Sequence, residues 1–417
     1  MTPADGPVRD DVQPDTGAGM YPTRFREAER RSARIGRPLR LVAGLKDVDE
    51  GLMHEIGTAH FSGDERGARL AQAMRMRVGE PGRVTRAQLE AGLSRGSREV
   101  PDAGPALHDF LDHLEDTPDW VDWGRVERGQ RVYLRLGQNA ADVLLQLSLI
   151  GGYRFGGPTD LLVATGGLTG QRTLRRLAET QHWTTSLSIP DGLRPHGAAW
   201  RLTAQVRVMH AMVNETFAPR WDVARWGLPI NQADQAATLG LFDATVLLGA
   251  RALGVRVTRR ESADVMHLWK YVGWLLGVDE KFLTDSERER HRLDYHVLLA
   301  QADISEAGPL LARALLAAQR ERNYRHLPNL RGRYEQERLL SMLTVFLGRR
   351  SMRELGLPVR PPWAHAYLVV LNTWRYRTPW GRRGLDAWGE RVKLRVQREH
   401  FGAAAPAIAT ADTAQQP

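Results

Sequence analysis

Apolar residues recur every three or four positions along almost the whole of this chain, a period that suits a helix and not a strand. Between punctuating Gly, Pro, Asp and Ser residues it predicts helices near 48–59, 63–77, 85–95, 105–115, 123–134, 136–153, 159–166 and 169–187. Further helices are predicted near 197–218, 231–254, 259–277, 284–301, 304–322, 334–347, 362–376 and 384–400. The best strand signal, at 253–258, reads better as the end of a helix. The expected fold class is therefore all-α. No internal repeat is visible. A single helical domain is expected over 23–402, between a disordered arm at 1–22 rich in Asp, Pro and Gly and a disordered tail at 403–417.

One stripe in this pattern carries more than packing. Ala199, Leu202, Val206, His210, Val213 and Phe217 fall at steps of three and four, so they share a helix face with an imidazole in its middle. Such a histidine is either a core residue bonded to a backbone carbonyl or a ligand, because its ring nitrogens need partners once they leave water. Thirty residues before His210 stands Thr180, and Arg176 lies one turn before that threonine on the same face. Arg176 is either a surface partner of Glu179 or, with Thr180 and His210, part of one interior polar set. An imidazole, a guanidinium and a hydroxyl aimed into one space are what a metal or cofactor pocket in a helical bundle requires.

The spacing of Arg176, Thr180 and His210 resembles that of the latex clearing protein and MpaB-type oxygenase family. Four further stretches carry the likeness: 57–74 (GTAHFSGDERGARLAQAM), 207–217 (RVMHAMVNETF), 228–242 (LPINQADQAATLGLF) and 267–280 (HLWKYVGWLLGVDE). The resemblance implies a multi-helix, globin-like bundle that encloses haem b. It implies His210 as the iron ligand, with Arg176 and Thr180 maintaining the pocket. It also implies O2 as co-substrate and an apolar isoprenoid-type substrate, either polyisoprene or a smaller terpenoid or lipid. Asp160, sixteen residues before Arg176, stands where some members carry a catalytic base; it is equally suited to the first turn of a helix, where the dipole favours it. Some members offer a lysine just before the threonine as a distal iron ligand. This chain has Glu179 there, free to pair with Arg175, so an open sixth position is expected, with Lys270 the lysine to consider in its place.

Composition narrows the chemistry. There are no cysteines, which excludes disulfides, iron–sulfur clusters, thiolate-ligated haem and covalent haem attachment. Of the 58 basic residues 54 are arginine, spread among acidic residues along helices; most of them read as solvated faces and not as a nucleic-acid footprint. No run of eighteen apolar residues predicts a transmembrane span. The first twenty residues lack the apolar region of a signal peptide, and arginines break the run after Arg30-Arg31, so a cytoplasmic protein is expected. Oligomeric state is not legible.

Two other readings remain. Glu179-x-x-His182 has the spacing of a di-iron carboxylate site, although such a site needs a second copy and further carboxylates. The aromatic and basic segment at 374–393 suits a non-enzymatic helical binding protein, or peripheral contact with a membrane. Asn231 is a plausible N-cap, and Ala236, Ala237 and Gly240 leave room for either a haem edge or a close helix crossing.

Overall fold

In the computed structural model, residues 19–166 and 171–401 are described, and over these the chain is helical, with no strand. Most of the expected arm and the whole expected tail lie outside the described residues. The arm's last residues are already anchored, since the Tyr21 hydroxyl meets His54 Nδ1 at 2.8 Å. The predicted helices form, and polar side chains start many of them. Asp49, Asp122, Asn231 and Ser286 each accept a backbone N–H in the first turn, and Thr258 with Glu261 forms a reciprocal capping box.

The departures have physical causes. The single helix expected at 231–254 is two, Gln232–Phe242 and Ala244–Ala252. Asp243 breaks it: its carboxylate caps Ala244 and lies 2.9 Å from Arg290, with both side chains only 1% exposed. Two short helices at Glu29–Ile35 and Arg37–Ala43 were not expected, because arginines interrupt their apolar pattern. The helix near 334–347 is much longer, Pro328–Glu354, and bends at Gly348, whose φ of 76° suits glycine. Within the helix expected at 136–153, residues Leu144–Ile150 take the wider π-helical turn that recurs at functional sites. A methyl group added at Gly240 would lie 2.2 Å from Asp294 Oδ1, so the small residues there serve a close helix crossing.

A few arginines stand apart from the solvated majority. Arg24, Arg207, Arg290 and Arg338 are buried and pair with Asp234, Asp64, Asp243 and Asp142. A buried guanidinium needs such a partner, since an uncompensated charge in the interior is costly.

The buried apolar residues form two clusters. The larger gathers Phe110, Trp200, Leu247, Trp269 and Tyr271; the smaller gathers Ile150, Tyr153, Leu311, Leu315, Leu339 and Leu343. The helix Gln171–Ser186 spans both: Trp183 belongs to the larger cluster and Leu177 packs against the smaller. No helix among the described residues is long and apolar enough to cross a membrane.

Candidate functional site

His210 lies on the helix Ala198–Phe217, and the two sides of that helix differ. Trp200, Thr203, Ala204, Arg207, Val208 and Ala211 are buried. The predicted stripe is turned about a third of the way round from them. Its Ala199 is buried, but Leu202, Val206, His210, Val213 and Phe217 are only half-buried. The stripe is thus less tightly packed than its apolar sequence suggests: Leu202 and Val206 rest against the larger cluster, yet part of its surface stays accessible.

The imidazole sits in the middle of that lining. Its Nδ1 is shielded from water and has no hydrogen-bond partner, and no hydrogen bond to either ring nitrogen is found among the described residues. Burial holds its pKa down to about 4; the nearby Asp64 charge opposes this and the Arg176 charge reinforces it. A neutral ring with an unused lone pair is the form that binds a metal. The expected alternative, a core histidine bonded to a backbone carbonyl, does not describe it.

Neighbouring helices fix this arrangement. Asp64, ahead of the helix Glu65–Arg75, receives Arg207 Nε and Nη2 at 2.6 and 2.7 Å, one turn before His210. Gly67 brings that helix close, for a methyl group there would lie 3.2 Å from Ala211 Cβ. The family-like stretch at 57–74 therefore supplies the support behind the histidine. On the other side Trp183 Nε1 donates to Thr203 Oγ1 at 3.0 Å, tying the Arg176 helix to the His210 helix.

Arg176 is partly buried, and desolvation lowers its pKa, with Glu179 and Tyr153 acting in the opposite direction. Its charge acts on the His210 ring through space, with no direct contact between the two side chains among the described residues. Thr180, one turn further on, has an exposed side chain. Asp160 is half-buried in the first turn of the helix Pro158–Ala164, where Oδ2 accepts the Gly157 N–H at 2.8 Å. It has the helix-start geometry anticipated for it, and nothing in that geometry joins it to His210.

Other candidates move away from the site. Glu179 pairs with Arg175 at 3.2 Å. Lys270 bonds Asp285 at 2.7 Å and sits 4.7 Å from the centre of the Trp120 ring, so it is not aimed at His210. His267 Nε2 accepts the Asp122 N–H at 2.9 Å, a structural role. No group of three or more His, Asp or Glu side chains suited to a metal occurs among the described residues, so Glu179-x-x-His182 has no assembled di-iron site around it. A cleft of about 180 Å³ lined by Arg135, Arg256, Tyr376 and Arg382 contains none of the predicted site residues.

Sequence reasoning missed Tyr153. Its hydroxyl is buried without a partner, and burial makes it harder to ionise, against the pull of the Arg176 charge. The only signal was its place among glycines, in GGYRFGG at 151–157.

The family model for the catalytic domain of the ER-bound oxygenase mpaB/B'/rubber oxygenase matches residues 136–380. The chain belongs to this family. The match takes in Asp160, Tyr153, Arg176, Thr180 and His210. The chain is 22% identical over 201 residues to the rubber oxygenase of Streptomyces sp. (strain K30), covering 46% of this chain and 47% of that protein. It thus spans about half the length of the curated relative it matches. Its fold is like that in the structure of latex clearing protein LCP in the closed state, with a TM-score of 0.59 and 17% identity over 81% of this chain and 91% of that one.

Proposed function

We propose that this protein is a haem b-dependent oxygenase that uses O2 to oxidise or cleave an apolar, isoprenoid-type substrate, with His210 as its iron ligand. One observation carries the reading: a neutral, shielded imidazole without a hydrogen-bond partner, set in a half-accessible apolar stripe. These residues fit haem b. Haem b, when bound, supplies an iron that can activate O2. Around it, Val206, Val213 and Phe217 offer apolar surface and limit water. Arg176 supplies a cation suited to a propionate, and Thr180 a hydroxyl for a polar edge. Asp160 is the proposed base, taking a proton from the substrate at its carboxylate.

The rubber oxygenase relative supports polyisoprene as one substrate class; a smaller terpenoid or a lipid fits the same apolar lining. The test is an absorption spectrum of protein expressed with added haem precursor, with iron counted per chain. A Soret band, one iron per chain and a pigment extractable by acidified solvent are expected. A folded, colourless protein after haem loading overturns the proposal.

A further inference from the structure

The helix Trp363–Arg377 is amphipathic in the unusual sense, with an apolar outer face. Ala364, Leu368, Asn372 and Tyr376 face inward and are buried. Trp363, Ala366, Tyr367, Val370, Leu371 and Trp374 stand at i, i+3, i+4, i+7, i+8 and i+11, and all are exposed. Val370 is 72% exposed, Trp374 55%, and Trp380, in the next short helix, 76%. The patch continues onto the neighbouring helix: Tyr334 lies 5.8 Å from Trp363, which stacks on Tyr367 at 6.0 Å between ring centres. A scattered exposed Leu is ordinary, but a contiguous aromatic stripe marks a contact surface.

Charge indicates what covers it. Residues 355–385 contain five arginines and no Asp or Glu. Arg360 is paired with Glu337, but Arg377, Arg382 and Arg383 are exposed and meet no carboxylate among the described residues. Aromatic rings with polar tips suit the level of lipid headgroups, and arginines beside them suit anionic ones.

We propose that this face binds the surface of an anionic lipid bilayer, with the helix lying in the interface plane and its apolar stripe inserted shallowly. The inference is independent of the haem site and concerns the other side of the helix that buries Tyr376.

The test is flotation of the full chain with vesicles of phosphatidylcholine alone or with phosphatidylglycerol. Binding to the phosphatidylglycerol vesicles is expected, and added salt should weaken it. Changing Arg377, Arg382 and Arg383 together to Gln should lower partitioning about a hundredfold. Val370→Ser with Trp374→Ser should lower it on both vesicle types, while Leu41→Ser with Val78→Ser, exposed elsewhere, should leave it unchanged. All these side chains are exposed, and circular dichroism checks that the variants fold; should any fail to fold, the salt and lipid dependence of the unaltered chain still decides. Absence of binding to the anionic vesicles overturns the proposal. So does a dimer, seen by sedimentation, that Val370→Ser with Trp374→Ser dissolves while vesicle binding is absent, for the face then joins two copies.

Discussion

The two sides of the His210 helix teach different lessons about similar sequence. On one side Arg207 is buried because Asp64 meets it with two hydrogen bonds and its guanidinium lies 5.3 Å from the centre of the Phe110 ring. On the other, three residues later, His210 is shielded with no hydrogen bond, on a stripe of valine, leucine and phenylalanine that the protein leaves half-accessible. The first side is spent on stability. The second leaves a polar group without a hydrogen-bond partner on a half-accessible apolar stripe, as the proposed haem site requires. Removing Arg207 should therefore damage the fold, and removing His210 should damage binding.

The largest expected effect is on the open side. His210→Ala should abolish stable haem binding while far-UV circular dichroism remains that of the unaltered chain, because the stripe keeps its apolar residues and a cavity in a large core costs only a few kcal/mol. Full haem occupancy in the folded variant would rule His210 out as the ligand. The packed side should show the opposite. Arg207→Met leaves Asp64 without its partner and should cost about 3 kcal/mol, read from urea unfolding of the apoprotein. Haem bound per folded molecule should not change. If both substitutions act alike, the two sides are not functionally distinct.

A second buried histidine sharpens the contrast. His60 is fully buried, with Nδ1 3.2 Å from the Gly57 carbonyl and Nε2 buried without a partner, so it has one ring nitrogen bonded where His210 has none. Burial and the Arg24 charge hold its pKa down to about 4, against the pull of Asp234. The unfolded chain takes up this proton near its ordinary value of 6.5 while the native state refuses it until about 4. Stability should thus be flat above pH 7 and fall as pH drops from 6.5 towards 4, losing on the order of 2 kcal/mol by pH 5 from this group. Urea midpoints at the two pH values check the slope, and His60→Gln should reduce it but not remove it, since His113 and His210 are also held down to about 4; an unchanged slope in that variant assigns the effect elsewhere.

Periodicity and family likeness made much of this legible, because both the helices and the 176, 180 and 210 spacing are local patterns. The helix breaks were harder. Asp243 ends a helix only because Arg290, distant in sequence, waits for it in the core, and no local pattern announces that pairing. Buried arginines were hidden in the same way, since an Arg that finds Asp64 looks like one that finds water. The His210 stripe was legible as apolar but not as half-accessible, because periodicity reports which residues share a face and not how well their neighbours fill the space opposite. Tyr153 shows itself only as a buried hydroxyl without a partner, which no local pattern announces.

The smallest expected effect on the fold separates the two roles open to Asp160. Its Oδ2 accepts the Gly157 N–H at the start of a helix, a task an amide oxygen can also perform. Asp160→Asn should therefore keep the melting temperature, whereas Asp160→Ala should lose up to ~1 kcal/mol. Proton abstraction cannot be passed to an amide, so the Asn variant should still lose about a hundredfold in turnover with its haem content intact. The comparison belongs on one preparation, with melting, haem absorbance and O2 consumption measured together. Should Asp160→Asn turn over at the full rate, the carboxylate only begins a helix, and the base must be sought elsewhere.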